Sequence, residues 1–189
     1  LGYHQFVQKP KEVSADNEMY YPRQYFDQAL NSATEKDSLY NLALNGAEGK
    51  YGFLDIIDEY KGTKAANLAN YAAGMAYLNM QKYQDAITYL EKFSSDDAIL
   101  GALAKGGIGD AFMQLNQPND ALGYYEKAIA HSTNDYTAPR YLYKAGVTAL
   151  ELKQNDKALK FFQRIKVEFP NSDEARTVDA FIGMAKGGE

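Results

Sequence analysis

Cysteine and tryptophan are absent from this chain, and histidine occurs only twice, at His4 and His131. Without thiols there is no disulfide scaffold, no thiolate zinc site and no cysteine nucleophile, and the absence fits an oxidising or a reducing compartment alike. Two histidines so far apart assemble neither a metal centre nor a catalytic triad, and both are expected in solvent. A basic excess is missing too. The net charge of -5 and pI near 5.1 argue against general nucleic-acid binding, which needs cations to neutralise phosphates. The apolar opening, Leu1 to Val7, is far too short for a membrane span. The glycine-rich stretch Lys105-Gly106-Gly107-Ile108-Gly109 lacks the preceding strand and the Gly-Lys-Ser/Thr ending of a phosphate cradle, so it is expected to thin the wall of a helix. The carboxylate pairs Asp55/Asp58 and Asp96/Asp97 fall on an exposed helix face and at a helix start, where the dipole favours acids. No catalytic residue, metal ligand or cofactor site is predicted.

What is present is a period. Gly74, Gly109 and Gly146 are each followed twelve residues later by an alanine, Ala86, Ala121 and Ala158, so the chain repeats every 35 to 37 residues. A unit of that length with helical spacing inside it cannot bury its apolar face alone and stacks on its copies. The small residues are expected where the two helices of each unit come closest. Around them lie Tyr77, Leu90 and Phe93, then Phe112, Tyr125 and Ala128, then Ala149, Phe162 and Ile165 at matching offsets. The sixteen tyrosines supply large rings with polar tips, suited to helix packing or to interfaces.

Residues 1–18 read as a leader and linker: polar, with Pro10 and no periodicity over 8–18. Residues 19–62 carry shorter helices, one ending near Asn31-Ser32 and others near 36–44 and 50–60. Over 63–170 the pattern predicts helices near 64–80, 83–93, 97–115, 118–130, 138–152 and 155–168, which is three hairpins. Thr63, Ser94-Ser95-Asp96 and Thr137 are expected to cap helix starts, and Pro118 and Pro139 to sit in first turns. Over 171–189, Ala175, Val178, Phe181 and Met184 form a narrow apolar stripe on a capping helix. The last hairpin's Lys153, Lys157, Lys160, Arg164 and Lys166 read as a solvated face, with anionic lipid or another protein's acids as the alternative.

These residues resemble the tetratricopeptide repeat family, whose hairpin has a small residue in its first helix, alanine twelve on, an aromatic or leucine four beyond that, and often a closing proline. Gly74/Ala86/Leu90, Gly109/Ala121/Tyr125 and Gly146/Ala158/Phe162/Pro170 fit. The proline matches only in the third repeat, and the family's first-helix tryptophan is absent throughout. Upstream, Asn41 stands where glycine is expected and Phe53 where alanine is expected, which makes 19–62 a degenerate repeat with altered packing. The resemblance implies an all-α fold, a short right-handed superhelical solenoid with a C-terminal cap. It also implies a non-catalytic docking function. The first helices would line a concave groove for a protein or peptide partner, presenting Leu68, Tyr71, Met75 and Leu78, then Leu103, Gly106, Asp110 and Met113, then Arg140, Tyr143, Lys144 and Val147. Some members clamp a terminal carboxylate with lysine and asparagine at places that here hold Tyr71/Met75, Gly106/Asp110 and Tyr143/Val147, so that clamp is missing.

The opening is also similar to membrane-anchored bacterial tetratricopeptide proteins, in which an N-terminal span holds the repeats at the envelope face. Leu1 would then be a stub of the removed span, which supplies the route to a membrane, and the repeats would face the periplasm, with a cytoplasmic location as the alternative. Rival readings are a groove filled by the chain's own N-terminal helix, a structural homodimer through the tyrosine-rich N-terminal helices, and an all-α small-molecule binder or enzyme.

Overall fold

The protein is seen in a computed structural model that describes residues 2–3 and 7–187. Leu1, His4, Gln5 and Phe6 of the opening lie outside the described residues. The chain divides into two compact units, residues 1–94 and 95–189, each with its own apolar cluster. Among the described residues no helix is long and apolar enough to cross a membrane.

The first unit begins with a correction. Where the sequence predicts a linker over 8–18, the structure has a helix, α1 (Lys9–Glu18), with Pro10 in its first turn, where no intrahelical amide bond is lost. Its sequence has almost no amphipathic signal, and the helix is held by tertiary contacts instead. Ala15 is buried, and the Glu12 carboxylate accepts a hydrogen bond at 2.9 Å from the Lys64 amide at the start of α5 (Lys64–Asn79). Lys11 Nζ donates to the Lys61 carbonyl at 2.8 Å. Thus α1 leans on the first helix of the first hairpin.

A buried Met19 separates α1 from α2 (Tyr20–Asn31), which pairs with α3 (Lys36–Asn45). Phe26 bridges them, its ring 5.3 Å from Tyr40 and 6.3 Å from Phe53 of α4 (Phe53–Glu59). Asn41 is exposed on α3 and sits at no close crossing. The link from α3 to α4 turns on left-handed Gly46 and Gly49, and the space beside Gly46 is filled by the backbone of Lys50 and Gly52, so no side chain fits there. Asp55 accepts the Gly52 amide at 2.9 Å and so closes the start of α4.

The three predicted hairpins are present. They are α5 with α6 (Tyr83–Lys92) in the first unit, then α7 (Leu100–Gln114) with α8 (Pro118–His131) and α9 (Ala138–Glu151) with α10 (Asn155–Glu168) in the second. All three use one turn. Gln81, Asn116 and Lys153 adopt φ of 61°, 57° and 60°, and the next amide bonds back five residues, Lys82 to Tyr77 at 2.9 Å, Gln117 to Phe112 at 2.9 Å and Gln154 to Ala149 at 2.8 Å. This is the left-handed helix ending that satisfies the last free carbonyls.

The repeated glycines have a sharper role than the sequence implies. A Cβ at Gly74 would lie 2.5 Å from Leu90, one at Gly109 2.6 Å from Tyr125, and one at Gly146 2.5 Å from Phe162. Each glycine is therefore a socket for the side chain sixteen residues later, four past the alanine, while Ala86, Ala121 and Ala158 are themselves fully buried. Burying a knob of this size contributes about 1.5–3 kcal/mol.

Of the three predicted caps, Thr63 acts as expected and the other two are replaced by neighbours. Thr63 Oγ1 accepts the Ala66 amide at 3.0 Å, and Asp97, one residue past the predicted run, accepts Ile99 and Leu100 amides at 2.9 and 2.7 Å. Thr137 does not cap α9. Asn134 takes that place, its Oδ1 accepting the Tyr136 and Thr137 amides while its Nδ2 donates to Thr137 Oγ1 at 2.7 Å. After a short 3-10 turn (Glu174–Arg176), α11 (Val178–Lys186) closes the second unit through Val178, Phe181, Ile182 and Ala185. Met184, predicted in that seam, is 61% exposed, because the packed positions run i, i+3, i+4, i+7 from Val178.

Candidate functional site

Every residue expected to line a groove lies on α5, α7 or α9. On α5, Leu68 packs against its unit's core, Tyr71 tilts against Phe93 with ring centres 5.2 Å apart, and Met75 is half-buried. On α7 and α9 the structure brings several of the predicted residues together. Asp110 accepts from the Tyr125 hydroxyl at 2.7 Å and from Lys144 Nζ at 2.5 Å. Lys144 also stands over the Tyr125 ring, 5.9 Å from its centre. Half-buried Leu103, Met113 and Val147 pack beside this network, and Thr148 Oγ1 reaches Met113 Sδ at 3.7 Å. A carboxylate holding both a phenol and an ammonium ties α7, α8 and α9 into one rigid surface.

Burial pushes the Tyr125 phenol well above its ordinary value, aided by the negative charge of Asp110 and by the hydrogen bond to it, while the charge of Arg140 opposes the shift. Tyr125 therefore serves as a neutral donor. Arg140, one of the predicted lining residues, is exposed and makes no ion pair among the described residues. That leaves one guanidinium with open donors beside a neutralised acid.

Two predicted lining residues are placed differently. Gly106 is buried, with the Tyr141 ring lying where its Cβ would be, so it receives an aromatic from the next hairpin. The reading of those glycines as thinning a helix wall holds, since Lys105 to Gly109 all lie inside α7. Tyr143 packs edge-on against Phe181 of α11 at 5.1 Å and near Phe162 at 6.4 Å, so the cap takes up much of it. The sequence reading missed Tyr141, which is buried and stacked 6.2 Å from Tyr125. Its position opposite Gly106 was the available signal.

His131 is not free in solvent as expected. It ends α8 with its ring over Gly101, Nε2 2.9 Å from the Asp97 carbonyl and Nδ1 3.5 Å from Lys105 Nζ. The basic stripe on α10 is largely neutralised by Lys157–Glu126 at 2.7 Å, Arg164–Glu168 at 2.7 Å and Lys166–Asp179 at 2.6 Å. Among the described residues no three histidine or acidic side chains converge in a way that would hold a metal ion.

Consecutive helix couples with shared turns and glycine sockets define a helical-repeat scaffold for protein interaction. The chain belongs to the tetratricopeptide repeat family, whose profile matches residues 71–129 and 107–173, more than half of its length. Members of that family generally bind proteins or peptides and are typically non-catalytic. The crystal structure of MamA protein matches with a TM-score of 0.59 at 21% identity, over 89% of this chain and 82% of that one. At that identity the likeness is one of fold. No curated protein matches the chain at a significant level of sequence similarity.

Proposed function

We propose that the chain grips a peptide or protein segment on the face formed by α7 and α9, the first helices of its second and third hairpins, at the cell envelope, where it assists assembly or secretion of other proteins. In this reading an N-terminal anchor holds the repeats on the periplasmic side. The observation that carries the docking surface is Arg140, exposed and without an ion-pair partner among the described residues, set beside the Tyr125–Asp110–Lys144 network and half-buried Met113 and Val147. Apolar side chains supply contact area, and a guanidinium with open donors orients a carboxylate or carbonyl of the bound segment. Micromolar binding needs only about 8 kcal/mol, within reach of a few such anchors after ordering costs.

Crosslinking in the native membrane fraction tests this. Arg140→Ala and Met113→Ala are expected to lose the partners captured by the parent chain. Undiminished capture of the same partners by both variants would remove the face from consideration, and capture only from a soluble fraction would remove the envelope. A homodimer through α2 is a second reading, favoured by exposed Tyr20, Tyr21 and Leu30. A molecular mass by light scattering that stays monomeric at all concentrations disposes of it.

A further inference from the structure

The solvent side of α2 is its own complement. Tyr20, Arg23, Asp27 and Leu30 follow one another at steps of three, four and three residues, which sets them on one side of the helix. All four are exposed, Tyr20 and Leu30 at 58% each. An aromatic and an aliphatic side chain stand at the ends of this stripe, with a base and an acid between them. Both pairs, Tyr20 with Leu30 and Arg23 with Asp27, are centred on position 25. A two-fold axis opposite Tyr25 therefore sets each residue of the stripe against its complement on a second copy, at the spacing that antiparallel helices use to interleave. Arg23 and Asp27 lie one turn apart, yet neither makes an ion pair among the described residues. Tyr20 is held in place, since Tyr21 meets it edge-on at 5.2 Å and Lys50 stands over Tyr21 at 5.0 Å. A groove of about 600 Å³ runs beside it, from Asp16 and Asn17 past Tyr20 to Gln24. The residues just before α2 do not cover the stripe, because α1 is tied to Lys61 and Lys64 through Lys11 and Glu12.

We propose that two copies of the chain pair through α2 in one antiparallel register, with Leu30 of each seated in the groove beside Tyr20 of the other and Arg23 of each paired with Asp27 of the other. This rests on the second reading above, a homodimer through α2, and adds its symmetry, its register and the groups that fix them. An unrelated partner would need no stripe that matches itself, so the surface commits to a second copy. The charges also select the alignment. A slip of two turns toward α1 would set Asp27 against Asp16, and the same slip the other way would set Asp27 against Leu30. The rings and leucines supply contact area, and the base and acid supply register. Two helices of 12 residues bury less than a standard interface, so a dissociation constant of about 100 μM is expected.

Sedimentation velocity of the 189-residue chain, carried up to about 1 mM, tests this with two charge reversals. Arg23→Asp sets acid against acid twice across the axis, and Asp27→Arg sets base against base twice. Each variant alone is expected to associate about tenfold more weakly than the parent. Mixed in equal amounts, the two should recover a dimer, because every acid then faces a base. Both side chains are exposed and make no ion pair among the described residues, so the melting temperatures should equal the parent's, which separates a lost interface from a damaged fold. A mixture that stays monomeric, or reversals that leave association unchanged, overturns the register. If Leu30→Ser still abolishes association in that case, the α2 dimer stands in another alignment. A parent chain that is monomeric throughout removes the dimer and the register together.

Discussion

The ring of Tyr125 occupies the space that a methyl group on Gly109 would need, its Cε1 2.6 Å from the Cβ position, while its hydroxyl is held at 2.7 Å by Asp110 one residue further along α7. The ring is thus fixed at both ends. Gly109→Ala cannot be relieved by a small rotation and is expected to destabilise the chain by about 1–3 kcal/mol. Gly123 lies in the same hairpin with nothing within 4 Å of its Cβ position, so Gly123→Ala should stabilise by about 0.5–1 kcal/mol through helix propensity alone. Urea titrations of the two variants check the contrast in sign.

Tyr125 also sets a pH dependence. Its phenol is raised in the folded state, so above the ordinary tyrosine value of about 10 the unfolded chain loses the proton while the folded chain keeps it. Its contribution is complete below pH of about 10 and is lost as pH rises beyond that. Tyr125→Phe should flatten the alkaline fall in stability. At neutral pH it should cost about 1–2 kcal/mol for the lost charge-assisted bond. Denaturant midpoints measured across the alkaline range decide it.

The shared turn gives a third expectation. Lys153 holds φ of 60° and Asn116 φ of 57°, in a region that costs a lysine more than an asparagine. Lys153→Gly should therefore stabilise by about 0.5–1 kcal/mol and Asn116→Gly by much less. Thermal melts that rank the two the other way would contradict this account of the turn.

At the start of α5 two caps come from different places, Thr63 from the adjacent turn and Glu12 from α1. Thr63→Ala is expected to cost about 1 kcal/mol. Glu12→Ala should instead speed amide exchange at Lys64 and loosen α1, leaving the α5–α6 hairpin intact. Native-state hydrogen exchange distinguishes the two.

The hairpins were legible because a short period in a repeat protein is written several times, so the spacing of Gly74, Gly109 and Gly146 survives variation around it. The six helices of 63–170 match expectation to within about three residues at each end. What the sequence hid was partnership at a distance. Nothing local marks α1 as helical, since its stability comes from Glu12 and Ala15 meeting α5. Nothing local prefers Asn134 to Thr137 as a cap, or shows that His131 bends over Gly101. For the docking face, the residue types on α7 and α9 were readable, but the engagement of Asp110 by Tyr125 and Lys144 depends on helices fifteen and thirty-four residues away. Nothing near Tyr143 in the sequence marks its contact with Phe181 of α11.

The two separate apolar clusters carry a consequence for how the molecule comes apart. One gathers residues from Ala15 to Tyr89 and the other from Ala102 to Ala185. A scission between Ser94 and Ser95 severs neither. Melting need not be a single concerted event, so one midpoint would average two transitions. A ligand engaging only the later half would then raise one of them and leave its neighbour where it was.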